Sequence, residues 1–222
     1  QKCSHCIPPT QIKSQENSWK TVIRSSPYPS NTESKPKLII LGDSHGKNLS
    51  LRIEKHTEFN VSAFIRPGAN LDQVIEEVRD LSRDLGKNDR LLVIGGTNSV
   101  QSTEVMKITD AVHGLVRNTK HTNLILASLP MRHDMPELDI KIARINSELE
   151  RITEDSEFVD LLPLHLLPRH LYTNHGLHFN NRGKTRIVHL IANLLDREKK
   201  TNKIRKEPLN NVPINTDISS TI

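Results

Sequence analysis

The sequence predicts an α/β fold, a three-layer α/β/α sandwich built on a five-stranded parallel sheet. Two observations carry that expectation. Five short apolar runs are separated by longer amphipathic stretches, and four of the five runs are almost continuously apolar. A strand covered by helices on both faces reads in that way, and strands alternating with helices wind into a parallel sheet.

The runs are KLIILG (37–42), FNVSAFI (59–65), RLLVIGG (90–96), NLILASL (123–129) and EFVDLL (157–162). Their length and branched side chains suit strands. A helix is expected directly after the first run. The stretch 69–85 repeats Leu71, Val74, Ile75, Val78, Leu81 and Leu85 at three- and four-residue spacing, the stripe of one amphipathic helix. Asn70 or Asp72 suits its start and Gly86 its end. The stretches 102–119, 137–153 and 181–199 read as helices in the same way. Only 3% of the residues are aromatic, so the core falls to Leu, Ile and Val.

Residues 37–199 thus form one domain, of a size that supports a single core. Residues 1–36 are rich in Ser, Pro, Asn and Gln and read as a disordered linker, and residues 200–222 as a disordered basic and polar tail. The net charge of +5 is confined to these ends: residues 1–36 carry +3 and residues 196–222 carry +2, while 37–195 is neutral. Weak nucleic-acid contact is therefore expected only through the tails, and the domain has no composition for a basic groove. No apolar run is long enough to span a bilayer, so no membrane partner is expected. The chain begins with Gln1 rather than Met and reads as a fragment. Its two cysteines lie together in Cys3-Ser4-His5-Cys6, leaving the folded body free of cysteine, which fits an intracellular protein in cytoplasm or nucleus.

Ligands of open parallel sheets bind beyond the carboxyl ends of the strands, and polar, glycine-rich clusters fall at those positions here. Gly42-Asp43-Ser44-His45-Gly46 follows the first strand, Arg66-Pro67-Gly68-Ala69-Asn70 the second, and Gly95-Gly96-Thr97-Asn98 the third. Asn174-His175-Gly176-Leu177-His178-Phe179-Asn180 precedes the last helix. A serine on a turn between strand and helix presents its hydroxyl, which becomes a useful nucleophile once a base takes its proton. Ser44 is the candidate nucleophile and His178 the candidate base. The backbone N–H groups of Ser44 and Gly68 and the amide of Asn98 are candidate oxyanion donors. His45, His56, His113, His121, His133, His165, His170 and His189 read as surface or satisfied core groups.

The four clusters, in this order and over roughly residues 37–195, resemble the conserved blocks of the SGNH (GDSL-type) hydrolase superfamily. Gly42-Asp43-Ser44 resembles the first block, Gly68 the second-block glycine, Gly96-Thr97-Asn98 the third, and His178 the histidine of the fifth. The resemblance implies a flavodoxin-like three-layer fold and hydrolysis of small carboxylic or acetyl esters through an acyl-enzyme; no cofactor and no metal are expected. One position departs. The family carries an aspartate three residues before its histidine, and this chain has His175. Losing such an aspartate costs about 10⁴ in turnover in a serine protease, so a Ser44–His178 dyad is the implied arrangement. Two function classes follow: a serine esterase, or a catalytically impaired domain of this fold kept as a binding or assembly module. The G-x-S-x-G elbow of α/β-hydrolases also fits residues 42–46, but that elbow follows several strands and here it follows the first. Cys3 and Cys6 have zinc-ligand spacing, although two ligands cannot hold a structural zinc alone. They resemble the end of a PHD-type finger, which points to a retrotransposon-derived parent protein.

Overall fold

The computed structural model describes residues 20–21 and 35–206, with side chains over residues 35–196. Cys3, Cys6 and most of both tails lie outside the described residues.

Five parallel strands form the sheet: β2 (Lys37–Gly42), β3 (Asn60–Ile65), β4 (Arg90–Ile94), β5 (Asn123–Ala127) and β6 (Val159–Leu162). Their order is β3-β2-β4-β5-β6, and the two-residue β1 (Lys20–Thr21) pairs antiparallel on the outer edge of β3. The edge strand was not expected within the linker of residues 1–36. Two residues are too few to show a period of two, so only the open edge of β3 accounts for the pairing.

Side chains alternate across the sheet and supply two cores. Leu38, Ile40, Leu92, Ile94 and Ile125 face α1 (Ser50–His56) and α6 (Asn181–Lys206), meeting Ile53, Ile187 and Ile191 there. Leu41, Leu91, Val93, Leu124 and Leu126 face α2 (Leu71–Ile75), α3 (Val78–Ser82), α4 (Val105–Asn118) and α5 (Asp139–Glu154). All five residues of β4 are buried, as a central strand covered on both sides requires.

Two boundaries differ from the sequence expectation. The helix expected over 69–85 is two short helices, because the chain leaves helical geometry at Glu77 (φ −96°, ψ 14°). Asn70 caps the start of α2, its N–H donating to the Gln73 side chain at 2.9 Å. The last helix runs to Lys206, beyond the domain limit expected at 199. Residues 197–206 are dominated by Lys, Arg and Glu with no Gly or Pro, a composition that favours continuing a helix.

Candidate active site

Strand β2 lies between β3 and β4, so the chain reverses its direction of winding there and opens a crevice beyond the carboxyl end of β2. Asp43 and Ser44 follow immediately. The Asp43 N–H donates to the Ile94 carbonyl at 2.9 Å, and the Arg66 N–H to the Gly42 carbonyl at 2.8 Å, so both neighbouring strands hold this turn. Ser44 opens a single 3₁₀ turn, Ser44–Gly46, whose preceding residue Asp43 accepts the His45 N–H at 2.9 Å.

His178 arrives from the other end of the chain on a short hairpin. Tyr172 pairs with Phe179, the Thr173 N–H donates to the His178 carbonyl at 2.8 Å, and Arg169 closes the loop by donating to the carbonyls of Thr173 and Asn174 at 2.8 and 2.7 Å. Asn180 then starts α6, its side-chain oxygen accepting the Gly183 N–H at 3.0 Å. Gly183 is required at this junction: a Cβ there would lie 2.2 Å from the Leu171 carbonyl oxygen.

Ser44 and His178 line one open cleft of about 290 Å³ together with His45, Lys47, Pro67, Phe179 and Lys184. No carboxylate is in that lining. No hydrogen bond joins Ser44 to His178, and among the described residues the His178 ring has no hydrogen-bond partner. Partial desolvation against the cleft wall, joined by the positive neighbours His45, Lys184 and His175, holds His178 below the usual imidazole range, with Asp43 acting in the opposite sense. Burial and the nearby Arg52 and Lys47 likewise lower Lys184, whose ammonium donates to the Lys47 carbonyl at 3.0 Å.

The oxyanion candidates are placed less simply. Gly68 has φ +77°, a left-handed conformation that favours glycine, and its surroundings are open. Its neighbour Pro67 is the residue of that turn lining the cleft. The backbone N–H groups of Ser44 and Gly68 have no hydrogen-bond partner among the described residues. Asn98 differs from expectation: its amide donates to the Ala69 carbonyl at 3.0 Å, tying the third loop to the second. One of its two N–H groups is therefore already committed, because the buried turn carbonyl needs a donor.

His175 is exposed and sits near Asp134, whose carboxylate is held by a two-point pair with Arg132, both contacts 2.8 Å. His45 reads in sequence as a satisfied core histidine and is one, bonded at both nitrogens, yet it also forms the floor of the cleft. Nothing in its sequence context signals the second role, because its partner Leu177 acts through a backbone carbonyl. A second Ser–His–acid line, Ser128 Oγ to His165 Nδ1 at 2.8 Å and His165 Nε2 to Glu150 at 3.4 Å, is closed to substrate. Ser128 is only 1% exposed and also accepts the His165 N–H at 3.1 Å, which pins β5 to the segment after β6. Among the described residues, no group of three or more His, Cys, Asp or Glu is arranged to hold a metal.

The fold defines a class: a flavodoxin-like α/β/α sandwich with a serine on the loop after its first parallel strand. Solved structures of that fold superpose on this chain along nearly their whole length. A lipase/acylhydrolase from Enterococcus faecalis aligns with a TM-score of 0.63 at 14% identity, covering 73% of this chain and 96% of its own. A member of the lipolytic G-D-S-L family from Veillonella parvula gives 0.63 at 14%, covering 72% and 98%. A carbohydrate esterase of family 3 from Talaromyces cellulolyticus gives 0.61 at 13%, covering 75% and 99%. No family model matches the sequence, and no curated protein matches it.

Proposed function

We propose that this domain is a serine ester hydrolase acting on small acyl esters. The observation that carries the proposal is the shared cleft: Ser44 and His178, from opposite ends of the chain, line one crevice beyond the carboxyl end of β2. The solved structures of the same fold include an acylhydrolase and an esterase, which supports the reaction class.

In this reaction Ser44 Oγ attacks the ester carbonyl while His178 takes its proton. The negative charge that develops on the carbonyl oxygen is met by the free N–H groups of Ser44 and Gly68 and the uncommitted N–H of Asn98. The tetrahedral species collapses, His178 returns the proton to the leaving alkoxide, and an acyl-Ser44 ester remains. Water, deprotonated by His178, attacks that ester to release the acid and regenerate Ser44. A cleft of about 290 Å³ suits a short acyl group rather than a long chain.

The test is labelling by a fluorophosphonate, which reports an activated serine without requiring the natural ester. Labelling that is lost in Ser44→Ala supports the proposal; an unlabelled folded protein counts against it. One observation favours the alternative, a binding or assembly module of the same fold: among the described residues no carboxylate is hydrogen-bonded to the His178 ring to hold its cation. In that case neither labelling nor turnover is seen. An origin in a mobile-element protein, an upstream finger ending at Cys3 and Cys6, an intracellular setting and nucleic-acid contact through the basic tails belong to the same proposal. They rest on the sequence of the ends, where the net positive charge is found.

A further inference from the structure

His45 occupies an unusual position. It follows the candidate nucleophile directly, is 4% exposed, and each ring nitrogen faces an oxygen. Nδ1 lies 3.1 Å from Asp43 Oδ1, and Nε2 lies 3.1 Å from the Leu177 carbonyl. A carbonyl oxygen can only accept, so Nε2 must carry a hydrogen. A neutral imidazole then has only an acceptor left at Nδ1, facing a carboxylate. One further proton must lie between Asp43 and His45. Asp43 Oδ1 also accepts the His45 backbone N–H at 2.9 Å, which favours the negative charge on the carboxylate and leaves the proton on the ring. The two contacts fit a doubly protonated ring facing Asp43 Oδ1, while Asp43 Oδ2 is buried without a partner among the described residues. Burial opposes the ring's charge, but the Asp43 hydrogen bond and attraction outweigh it, and the Leu177 carbonyl adds to them against the repulsion of Arg132; His45 is raised above the usual imidazole range.

The placement of the two partners gives this pair a role. Asp43 immediately precedes Ser44, and Leu177 immediately precedes His178. We propose that His45, doubly protonated between Asp43 and Leu177, is a positioning residue that clasps the base segment to the nucleophile segment and keeps His178 neutral. Its ring centroid lies 5.3 Å from that of His178, close enough for its fixed charge to oppose a second one. The charged groups facing His178 are Asp43, His45, His175 and Lys184, and those facing His45 are Asp43 and Arg132. The role as a clasp for catalysis rests on the esterase reading; the protonation state of His45 does not.

Two measurements separate them. Nitrogen-15 NMR of the imidazoles, with His45 assigned by its absence from His45→Gln, should show both His45 nitrogens protonated at about pH 8, above the ordinary imidazole range. A bare nitrogen on His45 at that pH overturns the proposal without reference to activity. The His45→Gln side chain still reaches Leu177 but leaves Asp43 without a cation. With a small acyl ester it should lower kcat on the order of 10²-fold, as misplaced reacting groups do, with KM changed less than about threefold. The His178 titration midpoint should rise, carrying the acid limb of kcat/KM to higher pH. Unchanged kcat or an unchanged midpoint refutes the positioning role, since a merely structural defect lowers the folded fraction and moves neither the midpoint nor the pH limb. If His45→Gln does not fold, His45→Asn, which keeps a donor toward Asp43 but falls short of Leu177, applies the same readouts. Absence of any Ser44-dependent turnover in the parent sinks the esterase reading, while the NMR result still decides the state of His45.

Discussion

At the scale of single residues, the proposed ester hydrolysis depends on the proton affinity of His178. A general base must be neutral before it accepts a proton, so a lowered pKa extends its working range downward. Partial desolvation and the cations around it lower His178. The acid limb of kcat/KM should therefore have its midpoint below about 6.5, the ordinary imidazole value, and a profile with a midpoint above that would contradict the assignment. The same neighbours make the imidazolium of the transition state costly; Asp43 opposes them only at a distance, and no carboxylate is bonded to the ring. His175→Asp should raise turnover at least about tenfold by supplying that anion. Because Asp134 lies near His175 and is engaged by Arg132, Asp134→Asn combined with His175→Asp tests whether repulsion between carboxylates masks the gain. A rate unchanged in both variants would show that the base is oriented by other means. The positions of Ser44 after a strand and His178 before a helix are legible in the sequence, and the structure brings both to one cleft. Asn98 was half legible: its position at a strand end was evident, its bond to Ala69 was not, because a side chain's choice between backbone and ligand leaves no periodic trace.

At the scale of elements, two helical glycines should respond in opposite ways to the same substitution. In Gly114→Ala on α4 the added methyl approaches only the Arg117 guanidinium at 3.9 Å. Helix propensity then dominates, and urea unfolding should show a gain of up to about 1 kcal/mol. In Gly183→Ala the methyl would enter the Leu171 carbonyl at 2.2 Å. Crowding outweighs propensity there, and a loss of about 1–3 kcal/mol or more is expected as α6 is pushed from the segment it packs on. Equal effects at the two sites would mean that α6 is not docked as described. The strands were easy to recognise because each buried run of branched residues is short and bounded by polar ones. The break between α2 and α3 was not, since Val74, Ile75, Val78 and Leu81 keep helical spacing across it and each short helix buries the same face.

At the scale of the molecule, the parallel sheet and its covering layers followed from alternation alone, but the convergence of the loops did not. Strand order is a tertiary property: Ser44 and His178 line one cleft because β2 sits inside the sheet and α6 packs beside α1, neither of which any local pattern encodes. The assembled cleft has a character that its segments lack, with Lys47, Lys184 and two histidines on its walls and no acidic side chain. On the esterase reading, hydrolysis converts a neutral ester into a carboxylate beside the cations Lys47 and Lys184. The released acid leaves against attraction, so the free acid should act as a competitive inhibitor at low ionic strength. Added salt should relieve the inhibition and raise steady-state turnover, as the Debye length falls from about 30 Å at 0.01 M to about 8 Å at 0.15 M. Lys47→Ala combined with Lys184→Ala should flatten that salt response. On the esterase reading, departure of the acid, rather than attack on the ester, would then be the step most sensitive to the ionic surroundings.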